Sequence, residues 1–188
     1  MHTQPHNRAE WITALCTVLM ACTAVTALLY AHWQLKQDRE EAQVGRLLGE
    51  LHKYDEEPMV GYRRQYAEER LKGVSEPAAR YQLLDFFETI GLLVDRGYLD
   101  ETDVWENFGY SVFPLYADSR DTIGEEQKDD PAYYIHFISL AERMQAVEKA
   151  QHGNVRAMTK EDFQEFWQDE TKLVTGSPPS IRRPRHNK

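Results

Sequence analysis

One carboxylate stands inside the clearest amphipathic helical pattern of the chain. Glu88 lies in the run AARYQLLDFFETIGLLVDR; at helical spacing it falls between Leu84 on one side and Tyr81 and Leu92 on the other. A carboxylate in that position is part-buried and needs a partner. Arg80, two turns earlier toward the same side, and Arg120 and Arg143 on neighbouring segments are the candidates. Paired with one of them, Glu88 is an ion pair that fixes helix packing. Facing a ligand instead, it is a carboxylate with a raised pKa. The ion pair is the expected reading. The aromatics Phe108, Tyr110, Phe113, Tyr116, Tyr133 and Tyr134 could line a pocket beside it, but aromatics at helical spacing point first to core.

No recognised catalytic pattern accompanies these residues. The sequence has neither GxGxxG nor a P-loop, and neither G-x-S-x-G nor HExxH. Its seven histidines are scattered: His2, His6 and His186 in the tails, His32 at the edge of an apolar run, and His52, His136 and His152 on separate helices. No pair sits at i, i+3 or i, i+4 with a carboxylate, so no metal site is expected. Cys16 and Cys22 both lie in the apolar run, which leaves the rest of the chain without a disulfide framework or a thiolate zinc site. No catalytic residue and no cofactor are expected, and an enzyme is not the expected class. A net charge of −9 repels phosphate backbones and argues against nucleic acid as a partner.

The elements that must hold these residues are helical throughout. Residues 11–33, WITALCTVLMACTAVTALLYAHW, contain no Asp, Glu, Lys or Arg. As a helix they extend about 34 Å at ~1.5 Å per residue, enough for a ~30 Å hydrocarbon core. Trp11 at one end and Tyr30 and Trp33 at the other suit the two interfaces. A cleaved signal peptide fits poorly, because Leu29-Tyr30-Ala31 is not a small-x-small exit. Leu19-Met20-Ala21-Cys22 resembles a lipoprotein signal, but strongly apolar sequence continues beyond Cys22. The expectation is a single transmembrane helix.

Arg8 alone precedes it, whereas Lys36, Arg39, Arg46 and Lys53 follow, so the positive-inside bias places the C-terminal part in the cytoplasm and the N-terminus outside. Ala14, Thr17, Ala21, Ala24 and Ala31 recur at heptad spacing, a face that would let a second copy approach closely in lipid.

Beyond the span the organisation reads as a short N-terminal tail (1–10), the span (11–33), a helical stalk (34–57), a helical bundle (58–175) and a basic disordered tail (176–188). Val44, Leu47, Leu48 and Leu51 form one apolar stripe on the stalk, and Pro58 ends it. A second helix over 59–72 ends at Gly73. Ser75 as N-cap with Pro77 in the first turn predicts a third helix to Gly97, with Leu83, Phe87, Ile90 and Val94 inward. Asp100 caps a fourth, with Asp103 at the capping-box position, and Pro114 should kink it. Asp130-Pro131 predicts the start of a fifth, lined by Tyr133, Phe137, Leu140, Met144 and Val147 and closed by Gly153. Thr159 and Asp162 predict a last helix with Phe163, Phe166 and Trp167. In the tail, Arg182, Arg183, Arg185 and Lys188 could rest on an anionic leaflet.

The segment LLDFFETIGLLVDRGYLDETDVWENFGYSVFPLY followed by YYIHFISLAERM resembles a family of bacterial, membrane-anchored helical proteins defined only as a domain of unknown function. The shared pattern falls on Phe87-Glu88, Gly91, Gly97, Asp100, Val104, Phe108-Gly109, Tyr134, Phe137 and Leu140-Ala141, over roughly residues 10–150. Two departures stand out. Tyr116 occupies a position where the family often has Trp, and Gln127 and Lys128 stand where it has an Arg after the position of Ile123. The resemblance implies an all-α architecture with an N-terminal span and implies no activity. The function expected is a membrane-anchored, cytoplasm-facing interaction or regulatory module with an unknown protein partner. The alternative is a sensor or effector that binds a small ligand around Glu88, in stress or phage-defence signalling.

Overall fold

The computed structural model describes residues 6–154 and 158–174, with side chains from residue 11 onward. The basic tail and the first five residues lie outside them. Six α-helices run along the described residues, and none of these residues is in a strand: α1 (His6–Tyr54), α2 (Met59–Leu71), α3 (Arg80–Asp95), α4 (Glu101–Glu126), α5 (Ile135–His152) and α6 (Lys160–Glu170). The chain divides into two compact units, one ending at Ala42 and one beginning at Gln43.

In the first unit every described side chain is exposed, from Trp11 through Ala42. The helix is long and apolar enough to cross a membrane, and a signal sequence near an N-terminus has the same character. Its threonines return their hydroxyls to the helix: Thr17 Oγ1 donates to the Thr13 carbonyl (2.8 Å), Thr23 to Met20 (2.9 Å) and Thr26 to Cys22 (3.0 Å). These three hydroxyls are satisfied within the helix, as a hydrocarbon setting requires.

The second unit is a helical bundle. α3 packs most extensively on α5, α4 also packs on α5, and α2 packs on α6 and α3. The expected inner faces are buried: Leu83, Phe87, Ile90 and Val94 on α3; Val104, Phe108, Val112 and Leu115 on α4; Phe137, Leu140, Met144 and Val147 on α5; Phe166 and Trp167 on α6. Of the stalk stripe, Leu47 is buried and Leu51 partly so, whereas Val44 and Leu48 are exposed. Asp100 caps α4 through the amides of Thr102 (2.8 Å) and Asp103 (3.2 Å). Thr159 and Asp162 form a reciprocal capping box on α6. α4 continues through Pro114 to Glu126. At the end of α3, Gly97 (φ +68°) allows the Tyr98 amide to reach back to the Leu93 carbonyl (2.8 Å) and its own amide to reach Val94 (2.9 Å), a turn that favours a residue without Cβ.

Two helix starts differ from the sequence reading. α3 begins at Arg80, not at Ser75, and residues 77–79 form a turn. The Glu69 carboxylate of α2 takes the Ala78 amide (2.7 Å), so the cap comes from another helix and the Ser75 side chain is not used. α5 begins at Ile135, not at Pro131. Asp130 holds a turn through the Ala132 amide (3.0 Å), and Tyr134 adopts a left-handed conformation (φ 50°, ψ 36°) that sets the direction of the helix. Tyr134 provides no side-chain cap to α5.

Candidate functional site

The missing cap of α5 comes from Glu88. Its two carboxylate oxygens accept from the His136 amide (3.3 Å) and the Phe137 amide (2.7 Å). These are unpaired donors of a helix N-terminus, where the helix dipole also favours a negative group. The expected arginine partner is therefore corrected: Glu88 is satisfied by backbone, and the three arginines are engaged elsewhere. Arg80 donates to the Thr122 hydroxyl (3.2 Å) and the Ser75 carbonyl. Arg120 meets Asp121 at the surface (3.6 Å). Arg143 reaches Asp95 (3.3 Å) and Glu101 (3.3 Å). A helix start offers two aligned amides without ordering a long side chain, which is why it takes the carboxylate.

Glu88 belongs to a close joint between α3 and α5. Gly91, one turn on, has no side chain because α5 occupies the space: an added Cβ would lie 2.2 Å from the His136 carbonyl oxygen and 2.5 Å from its carbon. Phe87 stacks on Phe137 beside it (centroids 5.9 Å apart). At one edge the Tyr134 hydroxyl donates to Asp85 (2.7 Å). Burial and the Asp85 charge push that hydroxyl well above its ordinary pKa. At the other edge Asp95 receives His136 Nδ1 (2.6 Å) and the Ser139 hydroxyl (3.0 Å). Burial alone would raise the Asp95 carboxyl, but His136, Ser139 and Arg143 outweigh it and hold it below the usual carboxylate range. Replacing Glu88 with Ala is expected to lower stability by about 2 kcal/mol, with Glu88→Gln, which keeps one acceptor, falling in between. Denaturant unfolding of the full chain in detergent measures it.

The candidate pocket aromatics pack against different neighbours. Phe108 is core, edge-on to Tyr54 and Phe87. Tyr110 packs on Phe166 and Tyr116 on Phe137, while Tyr133 and Tyr134 pair with each other (4.3 Å).

A buried ion pair that sequence reasoning missed joins α2 and α6. Arg63 of α2 grips Glu170 of α6 in a two-pronged pair, Nε to Oε2 at 2.7 Å and Nη2 to Oε1 at 3.0 Å. Its remaining nitrogen donates to the Tyr54 carbonyl (3.1 Å) and Asp55 (3.2 Å), and the guanidinium lies 3.8 Å over the Tyr54 ring. Burial opposes its charge, but the Tyr54, Glu170 and Asp55 groups around it raise its pKa further. Burial is also the main reason the Tyr54 hydroxyl is pushed up. Ser111, Leu115, Phe166 and Trp167 close a small void here. The signal was present: Val60, Arg63 and Ala67 share the i, i+3, i+7 register of α2, as Phe163, Phe166 and Glu170 do on α6. A charge in a buried register needs a buried partner.

A third polar cluster joins α2, the start of α3 and α4. Asp118 takes Arg70 and the Tyr66 hydroxyl. Burial and then Asp118 raise the Tyr66 hydroxyl above its ordinary pKa, against the opposing effect of Ser119 and Arg80. Among the described residues no group of three or more His, Cys, Asp or Glu is arranged to hold a metal ion.

The family model described as Domain of unknown function (DUF4760) matches residues 21–144, and the chain belongs to that family. No curated protein and no solved structure matches the chain. The matched segment contains the α3–α5 joint and Arg63, whereas α6 with Glu170 follows it.

Proposed function

We propose that the chain is a single-span membrane protein whose N-terminal helix holds the helical bundle at the cytoplasmic face as an interaction or regulatory module. The observation that carries this reading is residues 11–33: an uncharged apolar helix with every side chain exposed and the hydroxyls of Thr17, Thr23 and Thr26 satisfied internally. Such a surface in water would be a severe aggregation liability, and a bilayer removes it. The excess of Lys and Arg after the span supports a cytoplasmic bundle; in a bacterial cell this is the inner membrane.

Cysteine labelling tests the topology. With Cys16 and Cys22 changed to Ala, a cysteine placed at the exposed Glu106 is expected to react with a membrane-impermeant maleimide only after the inner membrane is opened. Labelling in cells with only the outer membrane permeabilised would put the bundle outside.

A second copy of the chain is the partner this reading favours. The small-residue face of the span allows close approach in lipid. Independently, the helical Gly45 and Gly49 have open space where Cβ atoms would stand, so among the described residues no close neighbour accounts for two residues that each weaken a helix by about 1 kcal/mol relative to Ala. Mass determination in detergent distinguishes a dimer from a monomer. The ligand-binding alternative no longer rests on Glu88, whose oxygens are both committed to α5.

A further inference from the structure

We propose that the cluster between α2, the start of α3 and the middle of α4 binds a small oxyanion of the phosphate type, with Arg80 as its principal positive group. Arg80 is only 3% exposed. Its two terminal nitrogens donate to neutral acceptors, the Thr122 hydroxyl and the Ser75 carbonyl, and no carboxylate pairs with it among the described residues. The nearby Asp118 is taken by Arg70 and Tyr66. Two guanidinium groups against one carboxylate leave a surplus positive charge withdrawn from water, in a chain whose net charge is −9. A buried charge held only by neutral groups is electrostatically incomplete.

A second observation converges on the same place. Among the described residues, the buried side-chain nitrogen and oxygen atoms without a hydrogen-bond partner are Arg70 Nε, Arg80 Nε and Ser119 Oγ. All three belong to this cluster: Arg70 and Arg80 both donate to the Ser75 carbonyl, and Ser119 lies near the Tyr66 hydroxyl but outside hydrogen-bonding geometry. Native interiors leave few such atoms without a partner. Here the unpaired groups are two guanidinium N–H donors and a rotatable hydroxyl. Donors with surplus positive charge select an anion, and guanidinium edges match oxyanions better than spherical halides. Arg70 keeps a quarter of its side chain exposed, and the covering residues 71–76 are exposed, so one short loop separates the cluster from solvent. This inference is independent of the membrane reading.

The test titrates the full chain, in a detergent with an uncharged headgroup, with inorganic phosphate at constant ionic strength. Heat of binding and thermal unfolding are both recorded. The expected result is saturable one-to-one binding with a rise in Tm that chloride does not reproduce, and at least about tenfold weaker binding in Arg80→Met. Phosphatidic acid doped into the micelles separates the two sources of the group: competition with inorganic phosphate assigns the site to a lipid headgroup, and no competition assigns it to a soluble anion. Absence of saturable binding by the wild-type chain, an equal response to chloride, or full binding retained by Arg80→Met would each overturn the proposal. If Arg80→Met does not fold, Ser119→Ala and Thr122→Val decide: weakened phosphate binding in both supports the site, and wild-type affinity in both sinks it.

Discussion

Replacing Glu170 with Ala should lower the stability of the helical bundle by roughly 3–5 kcal/mol, because it leaves the Arg63 guanidinium buried without its main counter-charge. Both residues are buried, and the pair is two-pronged, so water screens neither charge. The exposed pair Lys72–Glu68, by contrast, should contribute less than about 1 kcal/mol. Two controls separate the loss of a partner from the loss of packing. Glu170→Gln keeps the volume and one acceptor and should cost less. Arg63→Met combined with Glu170→Leu removes both charges and should recover most of the loss, since apolar groups of similar size often replace a buried pair at little cost. Urea unfolding of the full chain in detergent reads all three. A double variant as unstable as Glu170→Ala would show that the Tyr54 and Asp55 contacts of Arg63, and not the pair, hold this centre together.

The second large effect is expected at Gly91. A valine there is expected to abolish the native α3–α5 packing, and even Gly91→Ala should destabilise by several kcal/mol, since a Cβ 2.2 Å from a backbone carbonyl cannot be relieved by a side-chain rotation. Separating the helices would lengthen both Glu88 hydrogen bonds and open the Phe87–Phe137 stack. Gly109 makes the useful contrast. Its added Cβ would meet Trp105 at 3.4 Å and Phe113 at 3.7 Å, ordinary contacts, and alanine is the better helix former. Gly109→Ala is therefore expected to be neutral or slightly stabilising. Circular dichroism melting of the two variants side by side checks the order; equal melting temperatures would mean that the close approach at Gly91 is not a constraint.

What the sequence revealed and what it hid divide along a physical line. Features settled within one turn of helix were legible: the Asp100 cap, the Thr159–Asp162 box, the Gly97 and Gly153 ends, and the apolar stripes of α3, α4 and α5. The two misplaced helix starts are those where a carboxylate from another helix supplies the cap, Glu69 for the turn before α3 and Glu88 for α5. Ser75-Pro77 and Asp130-Pro131 carry the local signature of a start, but a longer-range partner decides the boundary. Glu88 was recognisable as a part-buried carboxylate needing a partner. Its partner was not, because backbone amides carry no residue-type signal. Arg63 and Glu170 are 107 residues apart, and only their places in buried registers betrayed them.

The anchor remains the claim on which the rest of the functional account depends, and sodium carbonate extraction of membranes from cells expressing the full chain tests it most directly. The account predicts that the intact chain, at 22.0 kDa, stays in the membrane pellet and dissolves only with detergent. Release of the uncut chain by carbonate, or recovery of a soluble product shortened by removal of residues 1–33, would contradict it.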